Sequence, residues 1–110
     1  MPALDRVFHA LADPTRRAVL GRLARGPASV GALRAETAAG ITAPALSKHL
    51  RVLEGAGLLR QERRGRVRLC RLEPAALDAA EAWMAETRRF WATRLDELAA
   101  LFDADAGGER

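Results

Sequence analysis

Up to Gly57, apolar residues recur every three or four positions, a spacing typical of amphipathic helices. The pattern predicts four short helices. The first ends near Ala12, and the other three follow residues that can accept hydrogen bonds from the first turn of a helix, namely Asp13, Ser29 and Thr42. Leucines on the fourth helix stand four and then three residues apart, so we expect them to form one buried stripe.

After Gly57 the pattern changes to short runs that carry Val and Leu, at 58–62 and 66–72. Between them lies Arg63-Arg64-Gly65, where the glycine can adopt the backbone angles of a tight turn. The sequence therefore predicts a small β-hairpin with a basic tip. Four arginines surround the glycine: Arg63, Arg64, Arg66 and Arg68.

From Pro74 to about Phe102 nothing interrupts the helical pattern, which predicts one helix of about 28 residues and about 40 Å. Its apolar stripe is wider than so small a domain can cover alone. We expect a second copy of the chain to cover most of it, although the first helix could cover a part. Residues 1–103 are expected to form one domain that includes this dimerisation helix at 74–102, and residues 104–110 a disordered tail.

The composition supports one globular domain and shows an uneven distribution of charge. Of the 110 residues, 49% are apolar and 29% are charged, a balance that argues against disorder along most of the chain. Residues 1–72 carry 14 basic and 5 acidic side chains, whereas residues 73–110 carry 4 basic and 9 acidic ones. The basic part suits a polyanion and the acidic part a protein surface, unless the charges simply form a solvated surface.

Several classes of protein are disfavoured by the sequence. No apolar run approaches the roughly 18 residues of a membrane span, and Asp5, Arg6 and His9 interrupt any signal peptide, so we expect a cytoplasmic protein with no membrane partner. Cys70 is the only cysteine, which excludes an internal disulfide and a four-thiolate metal site; we expect it to be a small core residue. No catalytic pair or phosphate-binding loop indicates an enzyme, and no cofactor is expected.

Four helices, a basic hairpin and a long helix follow one another in the order of a mainly α winged helix-turn-helix, which lays its last short helix in a DNA major groove. On that helix Pro44, Ser47, Lys48 and Arg51 lie opposite the leucine stripe, where the polar ones can donate to bases and phosphates. His49 lies on the flank, and both a phosphate contact and packing beside the core remain open for it. The alternative function is that of a winged-helix adaptor that binds a protein instead of DNA.

Three separated motifs resemble the signature of the ArsR/SmtB family of transcription regulators: ALADPTRR at 10–17, LSKHLRVLEGAGL at 46–58 and RGR at 64–66. The resemblance covers nearly the whole chain. It implies a homodimeric repressor whose first and last helices form the interface and whose fourth helix and wing bind an inverted-repeat operator in double-stranded DNA. It also implies DNA contacts at Thr42, Ser47, Lys48, His49 and Arg51 and at arginines of the wing.

Together these arguments define two sets of candidate residues. The expected DNA-binding residues are Thr42, Pro44, Ser47, Lys48, His49, Arg51, Arg63, Arg64 and Arg66. The expected dimer-interface residues are Leu4, Phe8, Trp83, Thr87, Phe90, Trp91 and Leu98.

Two arrangements by which members of this family sense metals are missing from the sequence. The third helix has no cysteine pair, and the last helix has no histidine. The chain is therefore similar to the branch of the family that lacks these sites, and we expect no bound metal. The operator sequence and the effector ligand are left open.

Overall fold

In the computed structural model, which describes residues 2–108, helices and strands follow one another in the order expected for a winged helix. The helices are α1 (Ala3–Leu11), α2 (Pro14–Leu23), α3 (Val30–Thr37), α4 (Ala43–Gly55) and α5 (Pro74–Gly108). The strands are β1 (Ala28–Ser29), β2 (Leu59–Arg64) and β3 (Val67–Leu72).

The starts of α2, α3 and α4 confirm the capping residues predicted from the sequence. In each case the side chain before the helix accepts a hydrogen bond from the backbone N–H three residues later, which satisfies a donor that has no partner inside the helix. The oxygen–nitrogen distances are 3.0 Å for Asp13 with Arg16, 3.1 Å for Ser29 with Ala32 and 3.2 Å for Thr42 with Ala45.

The sheet has the strand order β1-β3-β2, with both pairings antiparallel. The hairpin of β2 and β3 was predicted, but its turn was expected at Arg63-Arg64-Gly65, and the structure places both of these arginines in β2. The strand β1 was not predicted. Ala28 pairs with Cys70 and Ser29 with Leu69, and a strand of two residues is too short to show an alternating pattern. Ser29 therefore joins the sheet through its backbone while its hydroxyl caps α3.

A two-residue turn joins the hairpin, because Arg64 pairs with Val67 and only Gly65 and Arg66 lie between them. Gly65 has a φ of 62°, in the left-handed region that favours glycine. Among residues 2–108 no other kind of residue has a positive φ, so Arg66 adopts an ordinary backbone conformation. Glycine at the first of two turn positions is the arrangement of a type II′ hairpin, whose twist matches that of the strands.

The predicted leucine stripe of α4 is confirmed, since Leu46, Leu50 and Leu53 are 0% exposed. These side chains belong to one buried cluster contributed by α1 to α4, the sheet and the first turns of α5. Cys70 lies in the same core, as expected, and burial raises the pKa of its thiol. The cluster also includes Val7, Val19, Leu20, Leu23, Leu33, Leu58 and Leu59.

α5 is 35 residues long and continues past the expected end at Phe102. The helix includes residues 104–108, and residues 109 and 110 lie outside the described residues. The expectation of a disordered tail at 104–110 stays a prediction. The segment after Phe102 contains alanine, the strongest helix former, and no proline, and its two glycines come at 107 and 108, where the helix ends. Among residues 2–108 no helix combines the length and the apolar content needed to cross a membrane.

The chain divides after Ala80 into two compact units. The first unit contains α1 to α4, the sheet, the start of α5 and the buried cluster. The second unit consists of the remainder of α5, where large apolar side chains are between 47% and 67% exposed. These side chains are Trp83, Met84, Phe90, Trp91, Leu95, Leu98, Leu101 and Phe102.

Glu62 of β2 is the centre of a group of ion pairs on the hairpin. Its carboxylate oxygens lie 3.2 Å from Nε of Arg71, 3.3 Å from Nη2 of Arg64 and 3.8 Å from Nη2 of Arg60. Partial desolvation favours the protonated carboxyl, but Arg71 and Arg64 outweigh it and lower the pKa of Glu62 below its ordinary value of 4.5. The ionised carboxylate therefore stabilises the folded hairpin.

We expect the contribution of Glu62 to the free energy of unfolding to depend on pH only under acidic conditions. Because the folded-state pKa of Glu62 is lowered, its contribution is complete above the unfolded value of 4.5 and is lost as the pH falls through the lower folded value. Urea unfolding of the wild type and Glu62→Gln should show a difference in unfolding free energy that is constant above about pH 5.5 and shrinks in acid. Glu86→Gln, at an exposed site on α5, is the control for the loss of a carboxylate. A difference that persists unchanged at about pH 3 would contradict this role of Glu62.

Candidate nucleic-acid interface

Burial of the leucine stripe turns the opposite side of α4 toward solvent. Thr42, Pro44, Lys48 and Arg51 are exposed, and Ser47 is half-buried. Lys48 and Arg51 form no hydrogen bond or ion pair with another residue of the range 2–108. Their N–H groups are therefore available to a ligand on this side of the helix.

Two open grooves separate α4 from the hairpin and from the start of α3. Ser47 of α4 and Arg68 of β3 contribute to both grooves, so they lie where the two meet. The first groove, of about 380 Å³, is lined by Ser47, Arg51, Glu54, Gln61, Glu62, Arg63 and Arg68. The second, of about 450 Å³, is lined by Ser29, Val30, Gly31, Ala43, Ser47, Arg66, Val67 and Arg68. The structure thus brings predicted residues of α4 and of the wing to a shared surface.

The arginines of the wing are not equivalent. Arg63, Arg66 and Arg68 are exposed and form no hydrogen bond or ion pair within the described part of the chain. Arg64 is also exposed, but its guanidinium donates to Glu62. Three of the cations near the turn are therefore available to an anionic ligand, and the fourth already has an internal counterion.

Arg68 lines both grooves. It is one of the four arginines around Gly65 that the sequence indicates can contact phosphates, although it is not in the set of expected DNA-binding residues. The sequence does contain a signal for it. In the predicted strand 66–72, Arg66 and Arg68 are two residues apart, a spacing that points both to the same side. In the structure Arg66 lies in the turn and Arg68 on β3, and Val67 between them is exposed.

Glu54 links α4 to the edge of the hairpin, a contact that the sequence did not predict. Its Oε2 accepts a hydrogen bond of 3.0 Å from the backbone N–H of Gln61. Because β2 is an outer strand of the sheet, this N–H lies on an edge without a neighbouring strand. The hydrogen bond helps to hold the wing in position beside the polar side of α4.

Two arginines of α2 bind the end of α1. Arg16 donates from Nε to the carbonyl oxygen of Ala10 at 2.7 Å and from Nη2 to that of His9 at 3.1 Å. Arg17 donates from Nη1 to the carbonyl oxygen of Leu11 at 2.9 Å. The carbonyl of His9 also accepts from the backbone N–H of Ala12, whereas those of Ala10 and Leu11 have no backbone partner within α1. The two guanidiniums therefore satisfy the helix terminus and fix the junction between α1 and α2.

His49 lies against the same junction. Its Nδ1 is 3.1 Å from Nη1 of Arg16 and 3.9 Å from Oδ2 of Asp13, and its side chain is 24% exposed. The backbone N–H of Arg16 lowers the pKa of Asp13, desolvation opposes the shift, and the charge of the Arg16 guanidinium adds a smaller lowering. His49 is thus packed against charged side chains of the α1–α2 junction, with part of its ring still at the surface.

The expected dimer-interface residues fall into two groups. In the first unit, Leu4 and Phe8 of α1 are partly buried against the core. In the second unit, Thr87 is partly buried, whereas the large side chains Trp83, Phe90, Trp91 and Leu98 are about half exposed. The exposed group forms an apolar surface much larger than the isolated apolar side chains of an ordinary protein surface.

Within residues 2–108, no three side chains of His, Cys, Asp or Glu lie close enough together to hold a metal ion.

Comparison with known proteins identifies the family. A model described as a helix-turn-helix domain matches residues 11–62. The HTH-type transcriptional regulator Rv2034 of Mycobacterium tuberculosis is 40% identical over 101 residues, which cover 92% of this chain and 90% of that protein.

Solved structures agree with this match. The crystal structure of the ArsR family transcriptional regulator RHA00566 is 47% identical and superposes with a TM-score of 0.76, covering 82% of this chain and 91% of that chain. The solution structure of the homodimeric winged helix-turn-helix DNA-binding domain of Mb0332 from Mycobacterium bovis is 26% identical, with a TM-score of 0.60, covering 86% of this chain and 83% of that one. With this fold and these relatives, the chain belongs to the ArsR family of helix-turn-helix transcriptional regulators.

Proposed function

We propose that this regulator is a cytoplasmic, homodimeric repressor that binds an inverted-repeat operator in double-stranded DNA and has no enzymatic activity. One observation carries the proposal. Ser47 and Arg51 on the polar side of α4 line two adjoining grooves together with three wing arginines that form no ion pair among the described residues, while the leucines on the opposite side of α4 are fully buried. A surface of this kind matches the alternation of base edges and phosphates along a major groove.

On this surface Ser47, Lys48 and Arg51 read the bases. Lysine and arginine donate to O6 and N7 of guanine, and a serine hydroxyl can donate or accept. Lys48 and Arg51 form no hydrogen bond or ion pair with another described residue, so DNA binding does not have to break one first. Thr42 and Pro44, at the exposed start of α4, approach the same major groove of the DNA.

The wing supplies contacts to phosphates. Arg63, Arg66 and Arg68 are free of internal ion pairs in the described range, and phosphate contacts release counterions from DNA, so they contribute affinity that falls with salt. Arg64 exchanges its contact with Glu62 for a phosphate and contributes less. His49 contributes to DNA binding from the flank of α4.

The dimer forms through Leu4 and Phe8 of α1 and through the exposed residues of α5, Trp83, Thr87, Phe90, Trp91 and Leu98. Exposed apolar side chains in this number are typical of a protein–protein interface, and a second copy of the chain would bury them. The homodimeric state of the Mb0332 domain supports this assignment. Two-fold symmetry then places the two α4 helices in successive major grooves about 34 Å apart, and a dimer in that position blocks RNA polymerase from the same DNA.

Selection of bound fragments from the source genome with purified protein tests the proposal. We expect recovery of an imperfect inverted repeat with half-sites about one helical turn apart, close to a promoter. Recovery of fragments with no shared sequence would contradict a sequence-specific function and would favour a protein-binding role. Transcription from the selected promoter in vitro, with and without the protein, then measures repression.

Variants of α4 should lose sequence-specific binding to DNA, whereas variants of the wing should lose binding that is independent of sequence. Lys48→Ala and Arg51→Ala should each weaken operator binding by about 1 to 3 kcal/mol and relax specificity, because they remove base contacts. Arg66→Ala should weaken operator and random DNA alike and reduce the slope of log K against log salt by about one. Gel shifts at several salt concentrations measure both effects. Arg88→Ala on α5 removes the same charge elsewhere and should change neither; unchanged operator affinity in the α4 variants would refute their role.

Trp91→Ala should weaken the dimer by about 30-fold or more, since truncating a buried aromatic anchor at an interface costs about 2 kcal/mol. Sedimentation velocity over a range of concentrations measures the monomer–dimer equilibrium. Operator affinity should fall with it. Arg88→Ala again serves as the control on the same helix, and an unchanged equilibrium in Trp91→Ala would exclude this side of α5 from the interface.

A further inference from the structure

His49 is held by an arginine that can only donate. Nη1 of Arg16 lies 3.1 Å from Nδ1 of His49, and a guanidinium carries N–H donors but no acceptor. In neutral His49 the lone pair is therefore on Nδ1 and the proton on Nε2. Arg16 is itself immobilised, because its Nε and Nη2 donate to the carbonyls of Ala10 and His9.

The other ring nitrogen of His49 faces solvent. Nε2 has no hydrogen-bond partner within residues 2–108. In that range every buried side-chain nitrogen or oxygen has a partner, so Nε2 is not one of the buried atoms. Nε2 is therefore at the surface, consistent with the 24% exposure of the side chain. The contact with Arg16 leaves His49 with a single outward group, an N–H donor.

The position of His49 on α4 determines what this donor can meet. His49 is about 100° around the helix axis from Lys48, at the edge of the polar side rather than at its centre. A helix about 10 to 12 Å across nearly fills a major groove about 12 Å wide, so its edges meet the groove walls, which are sugar and phosphate. An N–H donor at that edge matches a phosphate oxygen.

We propose that Arg16 is a positioning residue for DNA binding: it holds His49 in the Nε2–H tautomer, so that His49 donates to a backbone phosphate at the wall of the groove. The proposal rests on the DNA-binding function proposed above. Three of the five N–H groups of Arg16 are already used inside the protein, and one of these three holds His49, so the role assigned to Arg16 is to act through His49. Asp13, 3.9 Å from Nδ1, lies on the same inner side of the ring.

The tautomer can be observed in the free protein. Long-range ¹H–¹⁵N correlation spectra of the imidazole rings should show His49 with its proton on Nε2 in the wild type and an exchanging mixture of tautomers in Arg16→Lys. Lysine keeps the charge but has one nitrogen in place of the three that contact Ala10, His9 and His49. Arg17→Lys is the matched control, since the Arg17 side chain hydrogen-bonds only to Leu11 among residues 2–108, and the substitution should leave the His49 spectrum unchanged. Thermal unfolding of each variant establishes that it is folded.

Binding to DNA tests the consequence. Arg16→Lys and His49→Ala should each weaken binding by about three- to tenfold, the range of one hydrogen bond. The factor should be the same for the selected operator and for a random-sequence duplex of equal length, because a phosphate contact carries no sequence information. A glutamine amide donates without a tautomer, so His49→Gln should retain affinity within about twofold, and adding Arg16→Lys to it should cause no further loss.

Four results would overturn the proposal. They are a proton on Nδ1 in the wild type, an unchanged tautomer in Arg16→Lys, a loss of affinity confined to the operator, and an equal loss in Arg17→Lys. The spectra are recorded without DNA, so they report on the role of Arg16 even if the wild type binds no duplex. Absence of DNA binding would instead refute the proposed function.

Discussion

The candidate interface depends on the burial of Leu46, Leu50 and Leu53 along one side of α4. All three are fully enclosed, and removing one such side chain typically costs 2 to 5 kcal/mol, about as much as a small domain can lose. Rotation of α4 about its axis would expose this stripe, so the helix has one stable orientation. Lys48 and Arg51 on the opposite side are therefore held toward solvent by the core and not by contacts of their own.

The elements that could be predicted from the sequence are those specified by short-range chemistry. Asp13, Ser29 and Thr42 indicate helix starts because each side chain caps the turn that follows it, and Gly65 indicates the hairpin because its turn requires a positive φ. The two residues of β1 pair with a strand about forty positions away, so no local pattern contains them. The end of α5 differs from the prediction for another reason. The apolar pattern stops at Phe102, but the polar residues after it alternate with alanine, which allows the helix to continue to Gly108.

For the candidate interface, the sequence indicated which side of α4 is polar, but not how side chains connect the elements around it. Glu54 binds the backbone of Gln61, and Arg16 joins the end of α1 to His49 on α4. Each of these contacts spans from six to 33 positions along the chain and needs the folded core to bring its partners together. They also give the motifs at 10–17 and 46–58 a physical meaning, because both contain residues that hold one element against another.

The pairing of Glu62 with arginines has a consequence for selectivity among polyanions. The hairpin carries six arginines, at 60, 63, 64, 66, 68 and 71, and such a density of positive charge attracts RNA and other anionic polymers as well as DNA. Glu62 contacts three of them, at 60, 64 and 71, and leaves 63, 66 and 68 without an internal ion pair among the described residues. One carboxylate thus neutralises part of the positive charge of the hairpin and confines the remaining unpaired arginines to the two grooves beside α4.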